Sequence, residues 1–418
     1  MKRFDADLHL HSSHSRAVSD RMRIPVMAEQ AGIKGLDVLA TGDITNPEWR
    51  DHVRKHTEDA GNGFYRRDGT DFVLSAELED ENRVHHLVLF PDFDAAERVQ
   101  KELEGFSKNV KSEGRPNISA SGQRIAGILK DHGCLFGPAH AFTPWTSLYK
   151  EHDSLEECYG GMASEIDFLE LGLSADTGMA DRISELNGIS FVSNSDAHSP
   201  WPHRIGREFN RFEVEERSFE EMAKAFHSRK NRGISLNVGL DPREGKYHCS
   251  ACQDCHQKYS FEQAKKWGWK CKVCGKSVKK GVKDRVSELD DGGSSPDWRP
   301  EYDHLVPLAE IIREIVGHSS VTTKGVQSVY DSFQSDFGSE IDILVDREIP
   351  ELEKVNRKVA DAVRKFREER TIMVPGGGGK YGELIIPRDE EERERVMAER
   401  RDEIECVYSN DQSSLTNF

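Results

Sequence analysis

Asp7-Leu8-His9-Leu10-His11, in a predicted strand that starts near Phe4, places two histidines one residue apart. Side chains alternate between the faces of a strand, so both imidazoles point the same way and can reach one metal ion. Later apolar runs end or begin with similar ligands: Thr41-Gly42-Asp43, Ser75-Ala76-Glu77, His85-His86, Pro138-Ala139-His140 and Ser195-Asp196-Ala197-His198. Because a barrel of parallel strands gathers its active site at the strand ends, these stretches predict a metal centre there.

Residues 1–240 alternate short apolar runs, typical of strands, with helical segments. This alternation predicts an α/β domain with a parallel sheet, and an irregular barrel suits ligands that come from so many strand ends. The predicted strands are 37–40, 72–78, 84–90, 134–140, 166–173 and 189–193.

Charge and hydropathy limit the function classes. The 418-residue chain has a formal net charge of −17, which argues against simple coating of nucleic acid or anionic membrane by the whole surface. No stretch approaches the roughly 20 apolar residues of a membrane span, and the N-terminus does not resemble a signal peptide. We therefore expect a cytoplasmic protein of two or three domains without a membrane contact.

The candidate ligands can be grouped around separate ions. We expect His9, His11, Glu77 and Asp196 on one ion, and these are the predicted catalytic residues. The two oxygens of Glu77 allow it to bridge to a second ion. The ligands left for a third ion are Asp43 and His198.

The second ion would be held by His140 together with His85 or His86. Neighbouring residues of a strand face opposite sides, so only one histidine of the pair can point inward, and His85 is narrowly preferred. Each histidine taken alone is as well explained as a structural residue with satisfied hydrogen bonds. The whole set is not.

Histidine with carboxylates favours zinc, manganese or iron over calcium, which prefers oxygen ligands. Two such ions about 3.5–4 Å apart stabilise the attacking and leaving oxygens of a phosphoryl displacement and acidify a bound water. Phosphoester hydrolysis is therefore the predicted chemistry.

Residues 241–290 have a different composition. Cys252-x-x-Cys255 and Cys271-x-x-Cys274 have the spacing of one structural zinc site. Residues 246–285 hold eleven Lys and Arg against three acidic residues, so this zinc module is basic in an acidic chain. We predict a DNA contact through Lys279, Lys280, Lys283 and Arg285. The alternative is that these side chains are merely solvated.

The remaining cysteines have no evident role. Cys249 has the same spacing to Cys252 and is the alternative ligand, and five cysteines crowded into 249–274 suggest metal before disulfide. Cys134, Cys158 and Cys406 are expected to be ordinary thiols.

Residues 291–418 are predicted to form a mainly helical C-terminal domain. A helix is expected over 351–370, where apolar residues recur at helical spacing. After it comes a glycine run, Gly376, Gly377, Gly378 and Gly379, followed by Lys380 and Tyr381. Because glycines allow a close approach of the backbone, we predict that this loop contacts DNA. A flexible connector is the alternative.

The metal-binding motifs together resemble the PHP superfamily of phosphoesterases, named for polymerase and histidinol phosphatase. The motifs are Asp7-Leu8-His9-Leu10-His11-Ser12, Thr41-Gly42-Asp43, Glu77, His85-His86, His140 and Asn194-Ser195-Asp196-Ala197-His198. Many members have Asp or His where this chain has Arg16. A cation there weakens a third metal site and is suited to gripping a phosphate of DNA.

The order of motifs over nearly the full length resembles the endonuclease Q family of archaea and some bacteria. Beyond the PHP motifs, the resemblance rests on Tyr247-His248, the two Cys-x-x-Cys pairs, Lys279-Lys280-Gly281-Val282, Tyr302-x-His304-x-x-Pro307-Leu308 and Pro375-Gly376-Gly377-Gly378-Gly379-Lys380-Tyr381-Gly382. It implies an irregular PHP-type (β/α) barrel with a small zinc module and a mainly helical C-terminal domain.

Members of that family nick DNA on the 5′ side of hypoxanthine, uracil, xanthine or an abasic site. The resemblance therefore implies a repair endonuclease with two or three divalent ions (zinc, manganese or magnesium) in the PHP site and one structural zinc. Its expected partner is DNA containing deaminated bases, and the sequence leaves open whether a sliding clamp also binds.

Two other functions fit part of the sequence. One is a PHP phosphatase acting on a small phosphate monoester, which would not need residues 246–418. The other is a catalytically silent PHP protein that binds DNA, and the complete set of ligands argues against it.

Overall fold

The computed structural model describes residues 1–228 and 232–408, so the last ten residues of the predicted C-terminal domain lie outside the described part. Of the N-terminal part, the strands are β1 Lys2–Asp7, β2 Val38–Ala40, β3 Glu58–Asp59, β4 Tyr65–Arg67, β5 Thr70–Glu79, β6 His85–Phe90, β7 Leu135–Pro138, β8 Phe168–Glu170, β9 Ser190–Val192, β10 Phe209–Val214 and β11 Gly233–Gly239. The α-helices are α1 Ile24–Lys34, α2 Pro47–His56, α3 Phe93–Leu103, α4 Gly122–Asp131, α5 Leu148–Glu151, α6 Leu155–Tyr159, α7 Thr177–Ala180 and α8 Phe219–His227.

The strands form a mixed sheet. β1, β2 and β5 pair in parallel, whereas β10 and β11 continue from β1, and β6 and β7 from β5, in antiparallel fashion. The parallel pair β8–β9 joins β7 through two hydrogen bonds, from Asp167 N to Phe136 O at 3.0 Å and from Ala141 N to Glu170 O at 2.8 Å. The α/β fold class is confirmed, but the sheet is not wholly parallel because tight connections such as the one between β5 and β6 reverse the chain.

The core of this domain is apolar and dense. Phe4, Phe72, Phe90 and Phe168 are at most 1% exposed, and helices such as α1 and α4 turn their apolar residues inward. Burial of such aromatic side chains is a main source of stability in a domain of this size. The sheet therefore supplies a rigid support for the side chains at its strand ends.

The zinc module contains β12 Ala251–Cys252, α9 Phe261–Lys266, β13 Val278–Lys279 and α10 Val282–Leu289. The C-terminal part contains β14 Glu301–His304, α11 Leu308–Val316, α12 Lys324–Phe337, α13 Ile349–Leu352, α14 Arg357–Arg367, β15 Ile372–Val374, β16 Glu383–Ile385, α15 Glu390–Glu399 and α16 Arg401–Ile404. Its helical character is confirmed. Its strand β14 pairs with β11 and so extends the main sheet.

Two ionic contacts join the C-terminal part to the N-terminal domain. Lys34 Nζ lies 2.6 Å from Glu340 Oε1, and Arg211 bonds both Asp5 and Asp346 at 2.8–3.0 Å. Paired charges of this kind fix the orientation of packed elements, because separating them would leave a buried charge unpaired.

Among the described residues, no helix is both long and apolar enough to cross a membrane.

Candidate metal centre

The histidine pair, which was expected within the first strand, directly follows the end of β1 at Asp7 and meets Asp196 at one end of the sheet. His11 Nε2 lies 3.1 Å and His9 Nε2 3.9 Å from Asp196 Oδ1, and all three side chains converge on a common point. Neither histidine Nε2 atom nor Asp196 Oδ1 has a hydrogen-bond partner in the described part of the chain. Buried polar atoms without partners are costly, and three that face each other are suited to share a cation.

A second group forms around Glu77 at the end of β5. Its Oε1 lies 2.7 Å from His85 Nδ1 and 2.9 Å from His140 Nε2. Its Oε2 lies 3.3 Å from His11 Nε2, in the first group. Glu77 therefore stands between the two groups, in a position from which one carboxylate can bridge two ions.

Of the two adjacent histidines on β6, only His85 lies in the Glu77 group. His86 faces the other side of the strand, where it lies close to Asp80 and Cys158 and its Nδ1 is 2.7 Å from Tyr159 Oη. The alternation of side chains on β6 accounts for this separation. The predicted metal role of His86 in the PHP site is therefore not supported by its position.

The inner ring atoms of the ligands are held by carboxylates behind them. Glu170, at the end of β8, lies 2.9 Å from His9 Nδ1 and accepts a hydrogen bond from His140 N at 2.7 Å. Asp43 lies 3.2 Å from His11 Nδ1 and accepts hydrogen bonds from Ser12. Such partners fix the ring tautomer and orientation of metal-binding histidines.

This arrangement changes what the sequence suggested for two acids. Asp43 was expected beside a third ion, and the structure places it behind His11 instead. Glu170 was missed, because it is one of two acids in the predicted strand 166–173 and does not stand out from the many other acids of this chain. Its position after the apolar pair Phe168-Leu169, at a strand end, was the available signal.

Three residues of the centre have left-handed backbone conformations that residues other than glycine rarely adopt. The φ angles are 52° at Asp43, 28° at His140 and 47° at Asp196. Such conformations cost about 1–3 kcal/mol each and are found mostly where function requires them.

The donor set fits divalent metal ions. Burial alone lowers the pKa of His9, but Glu170 and Glu77 beside it raise that pKa well above its ordinary value. His11 shows the same balance, with Asp196 and Asp43 raising its pKa against burial. The carboxylates thus create a field that favours positive charge between the rings, which is what a bound cation would supply.

The mouth of the centre is lined by polar side chains. His198 has its Nδ1 2.8 Å from Asp196 O, and its ring centroid lies 4.7 Å from that of His11. Arg115, which the sequence did not point to, has its Nη1 3.1 Å from Glu77 Oε2. Arg16 is largely exposed and bonds Glu113 at 2.8 Å, next to the same cavity.

The predicted structural zinc ligands lie together. Cys252, Cys255, Cys271 and Cys274 have their sulfur atoms within 4.8 Å of one another. The pairs Cys252–Cys274 and Cys255–Cys271 are each 3.4 Å apart. Four thiols at these separations fit one tetrahedral zinc.

Cys249 does not compete for this site. It forms a disulfide with Cys406, with the two Cα atoms 6.0 Å apart. The expectation that Cys406 is an ordinary thiol is therefore wrong. Cys249 is likewise a disulfide cysteine and not an alternative zinc ligand.

The glycine run is neither a free connector nor an open set of amides. Gly376 N donates to Arg243 O at 2.7 Å, and Gly379 N donates to Lys246 O at 3.0 Å. A Cβ at Gly378, where φ is +62°, would lie 2.3 Å from Cys252 O. Gly376, Gly377 and Gly378 are therefore buried in close packing against the zinc module, whereas Gly379, Lys380 and Tyr381 are exposed.

Comparison with known proteins gives a consistent result. Residues 307–370 match the family described as MJ0043 C-terminal domain. The chain is 45% identical over 312 residues to protein MJ0043 of Methanocaldococcus jannaschii, covering 72% of this chain but only 37% of that protein's length. It is 34% identical over 414 residues to protein YqxK of Bacillus subtilis, covering 92% of this chain and all of that protein.

Two solved structures superpose on nearly the whole chain. One is the lesion-specific endonuclease Q of Pyrococcus furiosus, with a TM-score of 0.90, 48% identity, and 93% of this chain and 96% of that one covered. The other is endonuclease Q in complex with a 27-mer duplex that carries an abasic lesion at the active site, with a TM-score of 0.87, 48% identity, and coverage of 93% and 97%. This chain therefore belongs to the endonuclease Q family of PHP-type, metal-dependent endonucleases.

Proposed function

We propose that this protein is a DNA repair endonuclease that hydrolyses the phosphodiester on the 5′ side of a deaminated base (hypoxanthine, uracil or xanthine) or of an abasic site. The observation that carries the proposal is the position of Glu77 between two groups of ligands, 3.3 Å from His11 and 2.7 Å from His85. The similarity to an endonuclease Q bound to abasic duplex supports DNA as the substrate.

Two divalent ions in this centre would activate a water molecule and stabilise the charge of the displaced 3′-oxygen. His9, His11 and Asp196 would hold one ion, and Glu77, His85 and His140 the other. Glu170 keeps His9 in the tautomer whose Nε2 is free to bind.

Arg115 is the residue best placed to receive the scissile phosphate. Its guanidinium lies at the mouth of the centre, 3.1 Å from Glu77, and its side chain is partly exposed. A planar guanidinium can donate to two oxygens of one phosphate at once, so Arg115 would orient the DNA backbone before cleavage. Arg16 borders the same cavity, and its predicted phosphate contact requires that it leave Glu113.

Trp145 of the N-terminal domain, Lys246, Tyr247 and Lys279 of the zinc module, and Tyr381 after the glycine run form an aromatic and basic surface. The rings of Trp145 and Tyr247 are 5.3 Å apart, and Lys279 lies 4.4 Å over Trp145. Lys246 lies 5.6 Å from both tyrosine rings. Alternating aromatic and cationic groups suit a nucleic acid strand, because they stack on bases and contact phosphates.

This surface is close to the metal centre. The segment that carries Trp145 begins at His140, and the carbonyl of Thr146 accepts a hydrogen bond from His85 N at 3.3 Å. A base extruded from the duplex, which costs least where pairing is already weak, would meet the 48% exposed ring of Trp145.

The DNA contacts of Lys280, Lys283 and Arg285 in the zinc module stay predictions. Two of these side chains have partners within the protein: Lys280 pairs with Glu288, and Arg285 bonds Tyr149 O and Asp153. The comparisons give no support to the sliding-clamp contact that the sequence left open.

The experiment is one incubation of purified protein with end-labelled duplexes that carry A, inosine, uracil or an abasic site, with Mg²⁺ or Mn²⁺ or without metal. We expect a single nick beside the altered base that depends on metal. Cleavage of a chromogenic phosphate monoester without nicking would favour the phosphatase alternative. Binding of the duplexes without any cleavage would favour the catalytically silent alternative.

A further inference from the structure

A second group of metal-type ligands lies on the opposite face of β6 from the catalytic centre. It consists of Asp80, just after β5, His86 on β6 and Cys158 in α6, with donor atoms within 4.8 Å of one another. The three residues are 3%, 1% and 5% exposed, so bulk water does not hydrogen-bond to their polar atoms. The proposed nuclease reaction uses none of them.

One atom of each of two side chains is left without a hydrogen bond. Asp80 Oδ1 accepts from the amides of Asn82 and Val84 at 2.8 Å, and His86 Nδ1 bonds Tyr159 Oη at 2.7 Å. Asp80 Oδ2 and His86 Nε2, however, have no hydrogen-bond partner among residues 1–228 and 232–408. They lie 3.4 Å apart, a separation typical of two ligands on one ion.

The chemistry of the group matches a divalent ion. A carboxylate and a thiolate carry two negative charges, and a neutral imidazole completes a mixed N, O and S set of the kind zinc prefers. With a cation bound at Nε2, His86 would carry its proton on Nδ1 and donate it to Tyr159 Oη, which is the usual orienting contact of such a histidine.

The backbone leaves room for this group. Gly122 starts α4 beside it, and a Cβ there would lie 2.9 Å from Cys158 Sγ and 3.2 Å from His86 Cε1. A side chain at this position would press on two of the three donors.

We propose that Asp80, His86 and Cys158 bind a structural zinc or a similar divalent ion of borderline softness, with a water molecule in the fourth position. The ion would tie the end of β5 and α6 to β6. Because His85 leaves β6 on the other side, this ion would also hold the strand that carries a ligand into the catalytic centre. The two neighbouring histidines would then each serve a different metal site.

The test is the zinc content per chain, measured by mass spectrometry of metals after dialysis against a weak chelator. Cys158→Ser and Asp80→Asn should each hold about one zinc fewer than the native protein. The amide side chain of the Asp80→Asn variant retains an oxygen that can accept from the Asn82 and Val84 amides, so this variant removes mainly the ligand. Cys134→Ser is the matched control, since Cys134 is also a buried free cysteine and lies outside the group. Equal zinc in all four proteins would overturn the proposal.

A second measurement does not depend on how well the variants fold. Crystals of the native protein grown with zinc should show an anomalous scattering peak between Asp80, His86 and Cys158. The four-cysteine site serves as the internal reference for zinc loading. A full peak at that reference with none in the group would also overturn the proposal. Neither readout requires nuclease activity, so failure of the proposed function would be seen separately.

Discussion

Glu77 Oε2 lies 3.3 Å from His11 Nε2, so a residue near the end of β5 faces the histidine pair that follows β1. The other oxygen of the same carboxylate faces His85 and His140. This one side chain therefore links the two groups of ligands, and its substitution is the sharpest test of a centre that holds two ions.

Glu77→Gln should reduce lesion-dependent nicking by more than about 100-fold, beyond the usual effect of losing an orienting partner. An amide retains the shape of the side chain but cannot bridge two cations as a carboxylate does. The measurement is the single-turnover rate on an inosine duplex with Mn²⁺. Glu81→Gln, at an exposed position in the neighbouring turn, is the control and should keep the native rate.

Glu170→Gln should weaken metal binding and slow nicking by about 10- to 100-fold. The substitution removes the charge behind His9 Nδ1 and one acceptor of a group that also serves His140 N and Asn194 Nδ2. A rise in the Mn²⁺ concentration that gives half-maximal rate would report the loss. An unchanged metal dependence would show that Glu170 does not position the ligands.

Trp145→Ala should weaken binding of lesion duplex by about 5- to 150-fold, which corresponds to the 1–3 kcal/mol of one stacked base. The ring is 48% exposed and lies under Lys279. Fluorescence anisotropy in Ca²⁺, with native protein for comparison, is a suitable assay. Trp201→Ala removes a ring of 37% exposure that contacts Arg21 and is not one of the residues of this surface, and it should bind DNA as the native protein does.

The buried carboxyl group of Glu208 should make the free energy of unfolding depend on pH. Burial raises its pKa from 4.5 to about 8, while Leu240 N and Ser193 Oγ contact its oxygens at 3.0 and 2.9 Å. Between these pH values the folded state holds a proton that the unfolded chain has released, so this group's contribution to stability falls as pH rises from 4.5 to 8 and is constant above that range.

Glu208→Gln should therefore flatten the decline in melting temperature between about pH 5 and about pH 8. The amide resembles the protonated carboxyl, with an oxygen for Leu240 N and a donor for Ser193. Thermal unfolding of both proteins across this range, without added metal, provides the comparison. Glu156→Gln, at an exposed site, should leave the slope unchanged.

Periodicity and strand ends were enough to predict much of the centre. His9 and His11 were placed on one face by the alternation of a single strand, and Glu77 was recognised as a carboxylate that ends an apolar run. Which of His85 and His86 points inward depends on the register of β6 against β5 and β7, which a short, almost wholly apolar strand does not reveal.

Other features depend on contacts between distant positions. Cys249 and Cys406 are separated by 157 residues, and the spacing of Cys249 to Cys252 suggested a metal ligand instead. The helix expected over 351–370 is broken, because Asn356 accepts hydrogen bonds from Lys358 N and Val359 N and so starts a new helix. The helical spacing of the apolar residues predicted one continuous helix, because spacing alone takes no account of a polar capping residue inside the repeat.

The central claim is that acids and histidines from separate strands hold the ions that cleave DNA beside a lesion. Asp196→Asn compared with native protein on an end-labelled inosine duplex in Mn²⁺ tests it most directly. We expect a single nick 5′ to the inosine from the native protein and almost none from the variant. Undiminished nicking by the variant would contradict the claim.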